Sequence, residues 1–335
     1  MRRRGWIRSA LAGAAVATLL AGCSSGEDGG NKPTIAPATP AAAPAVTGAP
    51  AGEVKPAAAI SALLAEPFTG ALAVVTEAGK ALALIDRTGT RTVPLPGVVA
   101  CLAAGKPGEI LIAVPGKIIR LDAATAKTTE IAVEGEVRSV AVRANGDLAA
   151  GLGIGKVLIL APDGAVRASI SGLVSADAID AATDTVVVLD RRQTALSELN
   201  LQDGRLGLTL RTGDGATNMI GDHFGRRIVT DTAGSELLVY TADPLVLRQR
   251  FPVGSSPYAL AYDQRSETVW VTLTGSNEVV GYDLSTGIPV EVGRYPTVRQ
   301  PDSVTVDAST GDLFVGSATG DGLQRITADQ RKRGQ

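Results

Sequence analysis

Histidine occurs once in these 335 residues, cysteine twice and tryptophan twice, and aromatics make up 3% of the chain. Each scarcity excludes something. One histidine, His223, leaves little for imidazole acid–base chemistry or for histidine metal ligation, and it stands in a turn, where a solvated loop residue is expected. Two cysteines allow neither a disulfide framework nor a thiolate metal site. Few aromatics leave no stacking platform for sugars or single-stranded nucleic acid. No apolar run reaches the roughly 18 residues of a membrane span. The formal charge of −2, without a basic cluster, makes the chain a poor partner for a phosphate backbone. Gly-x-Ser-x-Gly, His-Glu-x-x-His and phosphate-cradling loops are also missing.

What is present begins with an address. Arg2, Arg3, Arg4 and Arg8 precede the apolar stretch Ala10–Leu20, which is too short to span a bilayer, and Leu20-Ala21-Gly22-Cys23 follows. This is the layout of an export signal. Its ending resembles the bacterial lipobox, which implies cleavage before Cys23 and lipidation of its thiol; Arg3-Arg4-Gly5-Trp6-Ile7 also resembles a twin-arginine signal. Residues 1–22 are therefore read as a signal peptide. Their removal takes four arginines and leaves a formal charge of −6. Two or three acyl chains hold a protein firmly to a membrane, at about 0.8 kcal/mol per buried CH₂. The expected location is the outer surface of the bacterial cell membrane, with the membrane as the first partner.

Residues 23–57 are rich in Pro, Ala, Gly and Thr and read as a flexible spacer, with Thr34, Thr39 and Thr47 in a setting similar to O-glycosylated stalks. Residues 58–328 carry a different pattern: short apolar runs of Val, Leu and Ile between Gly, Asp, Asn and Ser, with no long helical period. Residues 329–335 read as a charged tail. Within 58–328 a marker recurs about every 40 residues after a short strand: Arg143, Asp180, Asp222, Asp263 and Asp307. Two further runs and a less regular fourth follow each marker. Four antiparallel strands per unit, repeated from Ile60 to Ile326, predict an all-β fold: a seven-bladed β-propeller of four-stranded antiparallel blades, with six blades as the alternative. The last unit lacks an outer strand, and residues near Gly52 to Pro56 are placed to supply one.

The unit PVGSSPYALAYDQRSETVWVTLTGSNEVVGYDLSTG resembles the YVTN-type propeller repeat. Val253-Gly254, Pro257, Asp263, Trp270-Val271-Thr272, Ser276-Asn277 and Asp283 to Gly287 fill its characteristic places. The next unit matches at Pro301, Asp307 and Phe314-Val315, and the others keep only period and apolar pattern. The resemblance implies a seven-bladed propeller and an extracytoplasmic location, and no single activity.

The recurring Asp residues could form a ring of channel ligands, but each precedes turn residues and is expected to cap its own turn. Trp270 alternates with Val269 and Val271 and is expected in the core, as is the thiol of Cys101. The remaining candidates are positional. Five residues before each marker stand Arg138, Ser175, Thr217, Tyr258 and Asp302, polar or amphipathic residues in register at the starts of the first strands. They are the expected ligand-facing rim of the channel. Asp177, in a register otherwise apolar, must pair inside or mark a polar spot.

These readings point to a lipid-anchored, non-enzymatic binding or scaffold module of the cell envelope, with no cofactor and no metal. Its partner would be an envelope protein, peptide or glycan. The alternative is a metal-dependent hydrolase or lyase, lactonase-like, using channel carboxylates. Replacing Cys23 with Ser is expected to move the protein from the membrane fraction to the soluble extracytoplasmic fraction; retention on membranes after the substitution would refute the anchor.

Overall fold

Alternation of Val, Leu and Ile with small residues suits strands that are covered on both faces, and the structure uses it that way. The computed structural model describes residues 32–181 and 185–332. Cys23 and its leader lie outside them. The first strand, β1 (Glu53–Lys55), is followed by β2 (Ala62–Ala65), β3 (Leu72–Thr76), β4 (Ala81–Asp86) and β5 (Gly89–Pro94), which form one antiparallel sheet. A six-stranded sheet follows: β6 (Cys101–Ala104), β7 (Glu109–Asp122), β8 (Thr128–Val142), β9 (Leu148–Leu152), β10 (Val157–Leu160) and β11 (Val166–Ile170). Two four-stranded sheets come next, β12 (Ala178–Asp180), β13 (Val187–Asp190), β14 (Ala195–Asn200), β15 (Arg205–Arg211), then β16 (Ala216–Gly221), β17 (Arg226–Asp231), β18 (Glu236–Thr241), β19 (Val246–Pro252). The fifth sheet holds β20 (Pro257–Asp263), β21 (Thr268–Leu273), β22 (Glu278–Asp283) and β23 (Val290–Pro296). The last holds β24 (Pro301–Val306), β25 (Leu313–Ser317), β26 (Leu323–Ile326) and, as its outer strand, β1.

The chain is thus a β-propeller of antiparallel blades. Counted as hydrogen-bonded sheets, the described residues form six, the alternative count. The repeat seen in the sequence is reconciled with six by the largest sheet. β7 and β8 are 14 and 15 residues long and bend at Gly116 and Gly135, whose φ values of 82° and 107° suit glycine. The bends fold the sheet on itself, so that Leu111 and Ile118 share a buried cluster with Val140, Leu148 and Leu160. The starting strands β2, β6, the second half of β8, β12, β16, β20 and β24 touch in that order, and β24 returns to β2.

Closure needs the N-terminal strand. Glu53, Val54 and Lys55 pair with Arg325, Gln324 and Leu323. The Gln324 side chain, fully buried, donates to the carbonyls of Ala51 at 2.7 Å and Pro296 at 3.0 Å and accepts from the Val298 amide at 3.0 Å. Gly52 makes the approach possible: it has φ 73°, and a Cβ there would lie 2.1 Å from the Arg325 carbonyl oxygen. A short helix, α1 (Ala328–Lys332), begins what reads in the sequence as a charged tail. Its Arg331 is buried, with the guanidinium 4.8 Å above the Trp270 ring and 3.3 Å from Asp263.

Gly52→Val is expected to lower the melting temperature markedly, because the left-handed backbone and the Arg325 contact together cost about 2–4 kcal/mol. Gly48→Ala, at a position with nothing within 4 Å, should leave it unchanged within scatter. Equal melting of the two variants would refute closure through β1.

Candidate functional site

The start of each first strand defines one face of the wheel, called upper here; the ends of those strands define the lower face. The recurring Asp markers lie on the lower face, where Asp222, Asp263 and Asp307 cap turns. Asp222 Oδ1 accepts from the amides of Phe224 at 3.0 Å and Arg226 at 2.9 Å, Asp263 from Arg265 at 3.1 Å, and Asp307 from Ser309 at 2.8 Å. Three also meet arginines: Asp180 lies 2.5 Å from Arg227, Asp222 2.6 Å from Arg226, and Asp263 close to Arg331. Among the described residues no group of three or more His, Cys, Asp or Glu is gathered as a metal site would need.

On the upper face the five rim residues separate into two kinds. Ser175 and Thr217 are buried, not ligand-facing. The Ser175 hydroxyl is engaged by Asp177 and Asp190, and the Thr217 hydroxyl lies 2.6 Å from Thr232 and 3.1 Å from Thr230. Those two threonines donate across the blade boundary to the carbonyls of Pro257 and Tyr258. Both hydroxyls are small enough to turn inward onto polar groups of their own blade, and the Thr217 network is carried on across the boundary by Thr230 and Thr232. Arg138, Tyr258 and Asp302 are half-buried. Arg138 pairs with Asp177 at 2.9 Å, so the anomalous carboxylate pairs inside. Asp177 also accepts from the Arg191 amide at 2.9 Å. The Tyr258 ring packs beside the cluster of Trp270, Val304 and Val315. Asp302 accepts from the Gln300 side-chain amide at 2.8 Å. Burial pushes the Asp302 carboxyl above its ordinary range, against the lowering pull of that donor.

The structure adds an element that composition hides. Residues 34–51, expected to be free spacer, lie along the upper face without regular secondary structure. Ile35 donates its amide to the Arg192 carbonyl at 2.8 Å, and Arg191 donates to the Ala38 carbonyl at 2.9 Å. The Ala41 amide meets the Ser256 hydroxyl at 2.9 Å. Gln300 grips two strap residues, accepting from the Ala43 amide at 2.8 Å and donating to the Ala41 carbonyl at 3.1 Å. Asn277 donates to the Pro44 carbonyl at 2.9 Å. Ala43 is 4% exposed. The strap thus runs from the β13–β14 turn to the β23–β24 loop, and two carboxylates stand behind its holders: Asp177 behind Arg191, and the rim residue Asp302 behind Gln300.

A second cluster missed in the sequence surrounds His223 on the lower face. Its Nδ1 lies 2.8 Å from the Tyr262 hydroxyl, its Nε2 3.8 Å from Glu267, and its ring rests 3.8 Å from that of Phe224. Burial, with the charges of Asp222 and Glu267, pushes the Tyr262 phenol up to about 12. Cys101 is half-buried in β6, its thiol pushed up by its apolar surroundings, as an inert cysteine would be.

No protein-family profile matches the chain, and no curated protein sequence does. Solved structures do match. Virginiamycin B lyase from Staphylococcus aureus is similar over 80% of this chain and 94% of its own, with a TM-score of 0.67 and 14% identity. The β-propeller domain of Cps50 (Swd1) from Myceliophteria thermophila aligns over 84% and 98%, with a TM-score of 0.68 and 14% identity. A chain of a mitotic checkpoint complex aligns over 95% and 99%, with a TM-score of 0.68 and 10% identity. What they share with this chain is the wheel. At such identities the likeness carries the fold and no chemistry.

Asp302 gives a pH test with a definite sign. A carboxyl with a raised folded-state pKa binds more protons folded than unfolded, so stability falls as pH rises from the ordinary carboxylate value through the raised one. Asp302→Asn keeps an acceptor for Gln300 and should remove that fall, leaving the variant at least as stable as the parent at pH 7. A parallel pair of stability–pH curves would refute the assignment.

Proposed function

We propose that the chain is a lipid-anchored protein of the bacterial cell envelope whose propeller is a non-enzymatic binding or scaffold module. The observation that carries this reading is that the carboxylates at both mouths that could serve as ligands or acids are engaged within the protein: Asp222, Asp263 and Asp307 by turn amides, Asp180, Asp222 and Asp263 by arginines, Asp177 by Arg138 and Asp302 by Gln300. Such faces present fixed donors and acceptors, the equipment of recognition more than of proton transfer. The leader ending in Leu20-Ala21-Gly22-Cys23 supports the anchor and the extracytoplasmic site. The YVTN-type reading rests on Val253 to Gly287 and agrees with that location. One structural neighbour, the checkpoint chain, belongs to a multiprotein complex, in keeping with a scaffold role. With the strap docked, the tether from Cys23 to Thr34 is about 11 residues and reaches at most ~40 Å.

A second reading is favoured by one cluster. Tyr262, His223 and Glu267 adjoin a cleft of about 370 Å³ lined by Phe224, Arg226, Glu267, Asp283 and Ser285, and one neighbour of the fold is a lyase. Metal analysis and chelation separate the two. The binding-module reading expects purified protein without stoichiometric metal, a melting temperature unmoved by chelator, and a discrete envelope partner recovered after cross-linking of the anchored protein. A tightly held divalent ion whose removal lowers the melting temperature would overturn it in favour of a metal-dependent hydrolase or lyase.

A further inference from the structure

We propose that the upper face is a groove that reads the backbone of an extended peptide rich in alanine and proline, and that residues 35–44 are its ligand in cis. The inference deepens the binding-module reading and rests on it, by naming the class of partner and where it sits.

The contacts have the form of peptide recognition. Every hydrogen bond from the face to the strap ends on strap backbone: the amides of Ile35, Ala41 and Ala43 and the carbonyls of Ala38, Ala41, Ala43 and Pro44. The holders come from two parts of the wheel: Arg191 and Arg192 from the β13–β14 turn, and Ser256, Asn277 and Gln300 from the β19–β20 loop, the β21–β22 turn and the β23–β24 loop around one blade. Prolines at 37, 40 and 44 fall where the face uses no strap amide, and they preset an extended chain at small ordering cost. Small side chains are required along the path. Gly215 approaches so closely that a Cβ on it would stand 2.7 Å from the Ala38 Cβ, and Ala43 is enclosed. A larger residue at 43 has no room.

Ser256, Asn277 and Gln300 all hold positive φ, between 54° and 55° for the first two and 51° for Gln300. For a side chain such as glutamine this backbone region is uncommon. In Gln300 it goes with a side chain aimed at the strap, with Asp302 fixing the amide orientation. A partner of the same chemistry, an extended Ala/Pro-rich segment with small residues at the enclosed positions, would compete with the strap for this groove.

The test uses the full chain with a protease recognition sequence inserted at Gly48, which is exposed and has nothing within 4 Å. After cleavage, covalent attachment is gone and only the groove holds the strap. The strap fragment is expected to co-elute with the propeller and to be displaced by a synthetic peptide of residues 34–47, but not by the same peptide with lysine at position 43. Gln300→Ala should weaken retention by about tenfold, and Ala43→Lys within the strap should do the same with the propeller untouched. In the uncleaved chain the Ala41 and Ala43 amides should be protected from hydrogen exchange and lose that protection in Gln300→Ala. Immediate loss of the fragment, displacement by the lysine peptide equal to that by the native one, or unchanged exchange in Gln300→Ala would each overturn the proposal. None of these outcomes bears on membrane attachment through Cys23 or on metal content, so failure of the groove is distinguishable from failure of the binding-module reading.

Discussion

A sheet that is apolar on both faces has no stable existence alone, and the rest of this molecule follows from that. Each unit of the chain lays one face against the unit before it and the other against the unit after it. Ile228 and Val239 lie against Val271 and Val280, and Leu63, Val74 and Leu323 fill the junction where the last blade meets the first. Burial of apolar area at roughly 25 cal/mol per Å² accumulates at every such junction, and only a ring leaves none exposed. The final junction is the one the chain cannot complete in sequence order, so β1 is carried across to β26 and the two ends of the domain are hydrogen-bonded together. Closure and the strap are consequences of one route: the chain that must reach the last blade to close the wheel first runs along its upper face.

Much of this architecture was legible in the residues. The 40-residue period, the turn-capping Asp222, Asp263 and Asp307 and the outer strand near Gly52 follow from local rules of strand and turn chemistry. Trp270 in the core follows from alternation, and of the two places open to Asp177, paired inside or a polar spot, the structure shows the pair with Arg138. The fused sheet was harder to see. The pairing of Pro115 with Glu136, across a register shift at the two bends, joins two units in one sheet. Period in the sequence counts packing units; hydrogen bonds count sheets, and here the two differ.

The candidate site was legible in position more than in role. Register picked out five residues at one mouth, and three of them do lie partly open there. Ser175 and Thr217 turn inward because a polar residue at a strand start has two destinations, solvent or the buried polar groups of its own blade, and a hydroxyl is small enough for the second. The holders Ser256 and Gln300 give no signal, and Asn277 stands out only as part of the repeat, since all three are ordinary loop polar residues until the strap lies on them. The strap itself was read as spacer from composition. Low bulk and scattered proline do argue against a self-contained fold, but extended chain needs no fold of its own when a preformed surface supplies its hydrogen-bond partners.

Reading backbone through a few side chains yields modest affinity for each contact, about 1 kcal/mol net for a neutral hydrogen bond. A strap joined to its groove does not need more, because a short linker gives it an effective concentration of the order of millimolar. A separate peptide meets the same contacts without that advantage, so matching the strap's backbone alone would leave it displaced by the strap. A successful partner must therefore add something the strap lacks, and the physical means are few: further contacts beyond the strap's path, or a high local density of copies. The second is available to proteins confined near one membrane surface. Confinement raises encounter in the same way as a tether, so a groove of weak contacts can still discriminate, provided that its partners are held in the layer where the wheel is held.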